Sequence, residues 1–396
     1  MTGDFPSVQA RVLEFIAGTG QDSFDDLARA VFEFQYVNNP GYRRWCEAFG
    51  RDPSRVSALG EIPAVPTAVF KELDLVCGKP GVEFRTSGTS GVAGGNAGRA
   101  SLATGVGGTN AWPASPSPLA SGSGQGRHLA PSMDLYRASA LAHFRRCVLP
   151  EGWKMRTLLL APPPELRPMS SLSRMLGWIL EECAEGGGWF VTQAGLEHER
   201  LASALLDAQR GGIPVLLAGT TAAFVDFFDY CDRTGLRIGL PGGSRLMDTG
   251  GLKGVRREER VSLADFQAWV YRRATECLGI PADRSVNEYG MTELFSQFYD
   301  PVLLNRPDYS GKSPPRIKTG PAWTRTFVID PVTLDPVTEG EKGLLMHLDL
   351  ANAGSVMAVM TEDLGIAAPG GFVLCGRPAW AEGRGCGLTF SELAGG

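Results

Sequence analysis

The sequence of 396 residues has little of several features that would assign a protein to a class at once. It has only four histidines, none spaced as metal ligands are, and its eight cysteines include no C-x-x-C pair. No apolar run approaches the roughly 18–20 residues that span a membrane, and the amino terminus lacks a basic stretch followed by an apolar core. We therefore expect a cytoplasmic protein with reduced thiols.

An excess of positive charge is also missing. The 38 Lys and Arg residues are outnumbered by 43 Asp and Glu residues, which gives a formal net charge of -5. Such a chain has no broad attraction for phosphate backbones or anionic lipid, so we expect neither nucleic acid nor a membrane as a partner. For an anionic partner, the net charge leaves open only binding at a local basic site.

Hydrophobic periodicity predicts an α/β protein in three parts. Residues 1–70 have helical spacing and predict a helical cap. Residues 71–375 predict the main body, with alternating strand and helix candidates that imply a mainly parallel sheet, followed by short strands typical of a smaller antiparallel sheet or barrel. Residues 376–396 form a short tail. The predicted strands are 156–161, 188–191 and 214–218, and the predicted helices are 171–185, 196–209 and 222–230.

One long segment breaks the pattern. Residues 92–126 are rich in glycine, alanine, serine and proline, and they contain hardly a charge. Such a segment cannot bury enough apolar area to offset its ordering entropy. We predict a flexible surface loop there.

A hydroxyl-rich and glycine-rich segment precedes that loop. Glycines let backbone N–H groups converge on an anion, and hydroxyls add donors that can follow phosphate oxygens. The same composition suits a plain flexible turn, so by itself the segment leaves phosphate binding open. Its candidate residues are Thr86, Ser87, Gly88, Thr89, Ser90 and Gly91.

A second motif lies about two hundred residues later. An aromatic ring in it can stack on a purine, a glycine allows close backbone approach, and a hydroxyl and a carboxylate follow. Magnesium prefers oxygen ligands and often combines one or two carboxylates with substrate phosphates, which makes Glu293 the candidate metal ligand. The motif residues are Tyr289, Gly290, Met291, Thr292 and Glu293.

The third motif is an acidic turn at residues 361–365. Asp363 in this turn could accept hydrogen bonds from both hydroxyls of a ribose. Acidic turns are common in loops, and alone this one is more often structural.

Together, in this order and spacing, the three motifs resemble the adenylate-forming superfamily of acyl-CoA synthetases and peptide-synthetase adenylation domains. A narrower resemblance, from about Pro63 to the carboxyl terminus, is to acyl-protein synthetases of the LuxE type, components of bacterial fatty-acid reductase systems. It is carried by residues 135–139, 143–146, 162–164, 247–254, 286–294, 296–300, 347–352 and 384–388. The resemblance implies the large domain of an adenylate-forming enzyme, with parallel sheets layered by helices and a small antiparallel sheet or barrel.

This resemblance implies ATP and Mg2+ as cofactors and assigns roles to the motif residues. Residues 86–91 would hold the phosphates, and residues 289–293 would meet the adenine, the α-phosphate and magnesium. Asp363 would bind the ribose. Gly250 and Gly251 would let the adenine plane lie against the backbone.

Cys386 matches the place of a cysteine that takes the acyl group from the adenylate as a thioester in the family. The positive charge of Arg384 and the surrounding glycines favour a reactive thiolate. An incidental cysteine near a frayed end is the alternative. By the same analogy the partner would be an acyl-accepting reductase-like protein or a carrier protein, and the acid would be a fatty acid.

Two departures from the family pattern affect these expectations. The loop at 92–126 is longer than the usual link after the phosphate segment. The carboxyl-terminal lid domain with its catalytic lysine has no counterpart, as in the LuxE-type proteins, so another cation must neutralise the pentavalent phosphorus. We nominate Lys253 with Arg257 or Arg377, for each of which a solvated surface position is the alternative.

Two other functions stay open on the sequence alone. One is a ligase of the same superfamily that delivers the acyl group to coenzyme A or to a carrier protein, with Cys386 idle. The other is a catalytically degenerate nucleotide-binding protein whose phosphate segment is spoiled by the adjoining loop.

Overall fold

A computed structural model of the chain describes residues 4–86, 125–251, 262–304 and 316–377. The α-helices within these ranges are α1 (Phe5–Ala17), α2 (Phe24–Asn38), α3 (Pro40–Ala48), α4 (Asp134–Val148), α5 (Ser171–Cys183), α6 (His198–Gly211), α7 (Thr221–Thr234) and α8 (Leu263–Leu278). Short 3-10 turns lie at Leu59–Glu61, Thr67–Lys71, Ala282–Arg284 and Leu350–Asn352.

The strands of the described ranges are numbered in chain order. The first eight are β1 (Val65–Pro66), β2 (Val82–Arg85), β3 (Arg127–Ala130), β4 (Met155–Leu160), β5 (Ala184–Trp189), β6 (Val191–Thr192), β7 (Gly195–Leu196) and β8 (Val215–Thr220). The others are β9 (Arg245–Thr249), β10 (Ser285–Tyr289), β11 (Phe298–Tyr299), β12 (Ile317–Lys318), β13 (Thr324–Ile329), β14 (Lys342–Asp349), β15 (Ala358–Ala368) and β16 (Gly371–Gly376).

The first sheet has the order β11-β10-β9-β8-β4-β5. Its five strands from β10 to β5 are parallel, and β11 is an antiparallel edge strand. Neighbouring residues along β4 and β8 belong to different core clusters, since Leu159 and Leu216 lie in one while Leu158 and Leu217 lie in the other. Both faces of the sheet are therefore buried, as parallel sheets require.

The second sheet is antiparallel, in the order β12-β16-β15-β14-β13, with β1 added parallel to β15. Two small antiparallel hairpins, β2 with β3 and β6 with β7, lie outside these two sheets. The predicted α/β class with a mainly parallel sheet and a separate antiparallel sheet is confirmed, but the antiparallel sheet is not the smaller one, because each sheet has six strands.

In the main body the observed helix bounds agree with the predicted ones to within a few residues. The prediction for the amino-terminal segment is wrong in part. Helical spacing was extended to about Phe70, whereas the last α-helix there ends at Ala48. The stretch that follows contains Pro53, Pro63 and Pro66. Proline lacks the N–H that an α-helix needs, so only short 3-10 turns and β1 form there.

Most of the predicted flexible loop, residues 92–124, lies outside the described residues. A search of the described helices for one long and apolar enough to cross a membrane found none.

We predict that Gly219→Ala strongly destabilises the first sheet. A β-carbon at this position in β8 would collide with the carbonyl oxygen of Leu160 in the neighbouring β4, and backbone cannot move aside as a side chain can. We expect a loss of about 3 kcal/mol or more in the free energy of unfolding, measured by urea denaturation. The control is Gly242→Ala, because a β-carbon there meets nothing within 4 Å. Equal stability of the two variants would contradict the packing described.

Candidate active site

Two of the sequence motifs lie at the carboxyl ends of neighbouring parallel strands. Thr249 ends β9 and is in register with Glu288 of β10, so the segment 289–293 emerges beside Gly250 and Gly251. Gly250 has a φ of +98°, in the left-handed region that favours glycine. Crevices beyond the carboxyl ends of parallel strands are the usual ligand sites of such sheets.

The β2–β3 hairpin brings the start of the first motif to the same place. The Thr86 N–H donates to the Gly126 carbonyl oxygen at 2.9 Å, and the Gly126 N–H donates to the Thr86 hydroxyl at 2.9 Å. A β-carbon on Gly126 would lie 3.1 Å from Thr86 Cγ2 and 3.6 Å from Glu293 Oε1. Thr86 and the Glu293 carboxyl therefore flank one glycine.

The prediction that Asp363 lies in a turn is wrong, because residues 361–365 are part of the continuous strand β15. Asp363 reaches this cleft from the second sheet and meets the hydroxyl end of the Tyr289 side chain. The Tyr289 hydroxyl donates to Asp363 Oδ2 at 2.9 Å, and Arg377 Nε donates to Asp363 Oδ1 at 3.2 Å. Arg377 also lies 3.6 Å from the Glu362 carboxylate. The carboxyl predicted to bind ribose is thus held on both oxygens by groups that the sequence had already singled out.

The Tyr289 ring is nearly buried, with 8% of its surface exposed. Its centroid lies 5.6 Å from that of Phe372 and 5.9 Å from that of Phe298. Burial raises the pKa of its hydroxyl, and the charge of Asp363 adds to this effect. A purine at this site would contact only the small part of the ring that these neighbours leave open.

The Glu293 carboxyl is 6% exposed, and this burial raises its pKa to about 7. The positive charge of Arg377 favours the ionised form, whereas the charges of Asp363 and Glu362 oppose it. A buried carboxylate without a cation is costly, so the group takes up either a proton or a metal ion.

Glu288 is a second buried carboxyl, and the sequence analysis did not single it out. It is 4% exposed, burial raises its pKa to about 7, and the Thr249 hydroxyl donates to it. A β-carbon on Gly290 would collide with its Oε1. A side chain at residue 290 would therefore displace the end of the Glu288 side chain. An acidic residue at the end of an otherwise buried strand was the feature of the sequence that could have identified Glu288.

A buried polar network ties β9 to β10 below these carboxyls. Asp248 Oδ2 accepts from the Thr221 hydroxyl at 2.7 Å and from Asn287 Nδ2 at 3.1 Å, and its Oδ1 accepts from the Tyr271 hydroxyl at 3.1 Å. Lys318 Nζ donates to Asn287 Oδ1 at 2.6 Å. Burial raises the pKa of Asp248, and these partners keep it satisfied.

Some of the glycines and cations predicted for the site lie within the described residues, and others do not. Gly251 and Gly376 both approach Leu263, with ideal β-carbons 3.4 Å and 3.8 Å from its side chain, so β9 and β16 meet at that edge of the site. Ser87, Gly88, Thr89, Ser90, Gly91, Lys253, Arg257 and Cys386 lie outside the described residues. Arg377 is the nominated cation that the structure describes, and it lies at Asp363.

His128, Asp349 and Asn352 are also at the site, although the sequence analysis gave them no role. His128 Nδ1 lies 2.7 Å from the Thr292 carbonyl oxygen, and Asp349 Oδ2 accepts from Phe295 N at 3.0 Å. Both Asp349 and Asn352 belong to a segment used only for its family resemblance. Because these contacts join residues far apart in the chain, no local sequence pattern predicts them.

The described residues contain no group of three or more His, Cys, Asp and Glu side chains able to hold a metal ion. Glu293 would thus be one ligand among others supplied by a substrate. That arrangement suits magnesium, which usually keeps few protein ligands beside phosphate oxygens.

No family model matches the chain, and no curated protein matches it. Solved structures of 2-hydroxyisobutyryl-CoA ligase do match. Its postadenylation state in complex with 2-HIB-AMP is 16% identical with a TM-score of 0.58, over 89% of this chain and 65% of that chain. Its open conformation with 2-HIB-AMP and CoA is 16% identical with a TM-score of 0.54, over 88% and 71%.

The chain thus spans about two thirds of the length of the first of these structures, 65% of it. At this identity the likeness shows the fold. The protein shares the mixed α/β fold of 2-hydroxyisobutyryl-CoA ligase, in agreement with the fold that the family resemblance implied.

We predict that Glu293→Gln stabilises the unliganded protein, and more so at high pH. The folded-state pKa of about 7 lies above the ordinary value of 4.5, so the folded chain holds more protons and this group lowers stability as pH rises between these values. Gln carries no charge to desolvate. We expect its gain in unfolding free energy to be roughly 2 kcal/mol larger at pH 8 than at pH 5, by urea denaturation.

Glu14→Gln is the control, because Glu14 is exposed on α1. Its effect should be small and nearly independent of pH. If Glu293→Gln gave the same small change at both pH values, Glu293 would not be a desolvated carboxyl.

Proposed function

We propose that the chain is an ATP-dependent ligase that converts a carboxylic acid to its acyl-AMP and then takes the acyl group onto Cys386. The observation that carries this proposal is the meeting of Thr86 and Glu293 at Gly126, beside the Tyr289–Asp363 pair. A phosphate-binding segment, a candidate metal ligand and a candidate ribose acceptor then share one cleft. The adenylate-forming fold supports it.

The nucleotide lies across the two sheets in this proposal. Asp363 accepts hydrogen bonds from the ribose hydroxyls, and the Tyr289 hydroxyl and Arg377 orient its carboxylate. Gly250 and Gly251 leave room for the adenine plane. The phosphates extend towards Thr86 and the segment that continues to Gly91.

Glu293, as a carboxylate, would be one ligand of a magnesium ion that accompanies the phosphates. Magnesium at this position would supply charge neutralisation for the phosphate oxygens. The burial that raises the pKa of Glu293 excludes water from the same place, so the carboxylate is offered to a cation in a low dielectric medium, where the attraction is strong.

In the first step the substrate carboxylate attacks the α-phosphorus of ATP, a P–O bond forms, and pyrophosphate leaves. The chain contributes by holding the two reactants in line and by excluding water. The cation that balances charge at the phosphorus is proposed to come from Lys253 or Arg257, which follow β9. Arg377 instead orders Asp363, to which it is already bonded.

In the second step the Cys386 thiolate attacks the acyl carbonyl, a C–S bond forms, and AMP leaves. The other cysteines are poor candidates. All seven are free thiols, six of them buried and Cys375 partly so, and burial raises the pKa of each. The thioester then passes to a partner, a reductase-like or carrier protein, and a fatty acid is the proposed substrate.

A second candidate is a ligase that delivers the acyl group to coenzyme A. It is favoured by the matched structure of 2-hydroxyisobutyryl-CoA ligase in complex with 2-HIB-AMP and CoA, 14% identical with a TM-score of 0.53 over 95% of this chain. Thioester formation on free coenzyme A, with no labelling of the protein, would select this candidate.

ATP–pyrophosphate exchange, screened over fatty, aryl and amino acids, tests the first step. We expect exchange with at least one acid. Asp363→Asn should raise the KM for ATP at least tenfold, because one ribose acceptor is lost, while Asp335→Asn at an exposed turn leaves it unchanged. A folded protein that binds ATP but exchanges with no acid would instead be a degenerate nucleotide-binding protein.

Labelling by radioactive acid and ATP tests the second step. We expect Cys386→Ser to keep pyrophosphate exchange but to lose the acid-stable label on the protein, because serine is a much weaker nucleophile at neutral pH. Cys375→Ser is the matched control, only eleven residues away by the sequence. Full labelling of the Cys386 variant would remove this residue from the mechanism.

A further inference from the structure

The Asn352 side chain is bonded to the backbone on both sides of Leu294. Its Nδ2 donates to the Glu293 carbonyl oxygen at 2.8 Å, and its Oδ1 accepts from the Phe295 N–H at 3.0 Å. The side chain is fully buried, with 0% exposure. One amide thus satisfies a carbonyl and an N–H two residues apart, as the peptide group of a paired strand would.

The direction of the Glu293 carboxyl depends on this backbone. Within the described ranges no side chain donates a hydrogen bond to it, and the side chains of Arg377, Asp363 and Glu362 act on it only through their charge. What holds the carboxyl near Gly126 is therefore the path of residues 290–296.

Asn352 is itself held from the opposite side by α2. Gln35 Nε2 donates to the Asn352 carbonyl oxygen at 3.0 Å and to that of Ala353 at 3.1 Å, while its Oε1 accepts from Met357 N at 3.1 Å. Gln35 is 0% exposed. Two buried amides therefore connect the amino-terminal helices to the backbone of Glu293.

We propose that Asn352 is a positioning residue that sets the placement of the Glu293 carboxylate, and that Gln35 transmits this constraint from the amino-terminal helices. The inference rests on the proposed function, in which Glu293 is a ligand of the metal that accompanies ATP. Helix α2, which carries Gln35, then supports the site, although none of its side chains needs to touch the substrate.

Substitution of Asn352 by aspartate removes the amide donor and also places a second carboxyl beside Asp349, which accepts from the same Phe295 N–H. Aspartate keeps the acceptor for Phe295 N but turns an oxygen towards the carbonyl oxygens of Glu293 and Val356, the latter 3.2 Å from Nδ2 in the native chain. The hydrogen bond to the Glu293 carbonyl oxygen is replaced by repulsion between two oxygens, so we expect the Glu293 peptide to move. A metal ligand displaced by about 1 Å can cost up to a hundredfold in rate.

The matched control is Asn39→Asp. Asn39 Nδ2 donates to the Ser355 carbonyl oxygen at 3.1 Å, and its Oδ1 caps α3 by accepting from Tyr42 N at 3.1 Å. Aspartate serves equally well as a cap. The control therefore also loses one buried amide donor to the 352–357 segment, but it has no bond to residues 290–296.

The experiment measures the Mg2+ dependence of ATP–pyrophosphate exchange in the full chain, together with unfolding midpoints. We expect Asn352→Asp to raise the half-saturating Mg2+ concentration at least tenfold, and Asn39→Asp to stay within twofold of wild type. A merely structural role predicts equal shifts at equal loss of stability. Equal shifts, or no shift in Asn352→Asp, would overturn the proposal.

Gln35→Glu covers the case in which Asn352→Asp does not fold, since it removes the donor to the Asn352 carbonyl and leaves Asn352 in place. We expect it to raise the Mg2+ requirement at least threefold, and an unchanged requirement would count against the proposal. If wild type exchanges with no acid, the proposed function fails by itself. Amide hydrogen exchange of residues 291–297 then decides, with faster exchange than in Asn39→Asp supporting the constraint and equal exchange overturning it.

Discussion

The burial of three carboxyls at the carboxyl ends of β9 and β10 is the constraint on which the candidate site depends. Asp248 is satisfied by two hydroxyls and an amide, Glu288 has the Thr249 hydroxyl, and Glu293 has its own backbone N–H and nearby charges. The part of the desolvation cost that hydrogen bonds leave uncompensated therefore rises from Asp248 to Glu293, towards the cleft. A ligand that brings positive charge to Glu293 relieves the part of that cost that the fold leaves uncompensated.

The rest of the architecture places other groups around that carboxyl. The parallel sheet supplies Glu293, the β2–β3 hairpin supplies Thr86, and the antiparallel sheet supplies Asp363. Each element arrives from a different part of the chain. The proposed nucleotide site therefore exists only when two sheets and a hairpin are packed together, which makes it a property of the whole fold.

Much of this was predictable from local patterns. Alternation of apolar strands and amphipathic helices predicted the parallel sheet, because both of its faces are buried. The distance between the motifs along the chain gave no information about their contact. The role of Gly126 as the residue between Thr86 and Glu293, and of Asn352 behind Glu293, comes from packing between residues far apart in sequence.

Two misjudgements have clear physical reasons. Helical spacing before Phe70 was followed too far, because proline positions override apolar periodicity. Glu288 received no predicted role because its neighbours carry the motif. Its carboxyl lies inside because β10 is buried on both faces, and the pairing of β10 with β9 that brings Thr249 to it is contained in no short motif.

Amide hydrogen exchange with and without ATP and Mg2+ tests the central claim, that one nucleotide contacts all three elements. The account predicts slower exchange, upon addition of nucleotide, in residues 82–86 with 125–130, in residues 285–296 and in residues 358–366 together. Protection of one of these stretches without the other two, or protection confined to another part of the chain, would contradict a shared site.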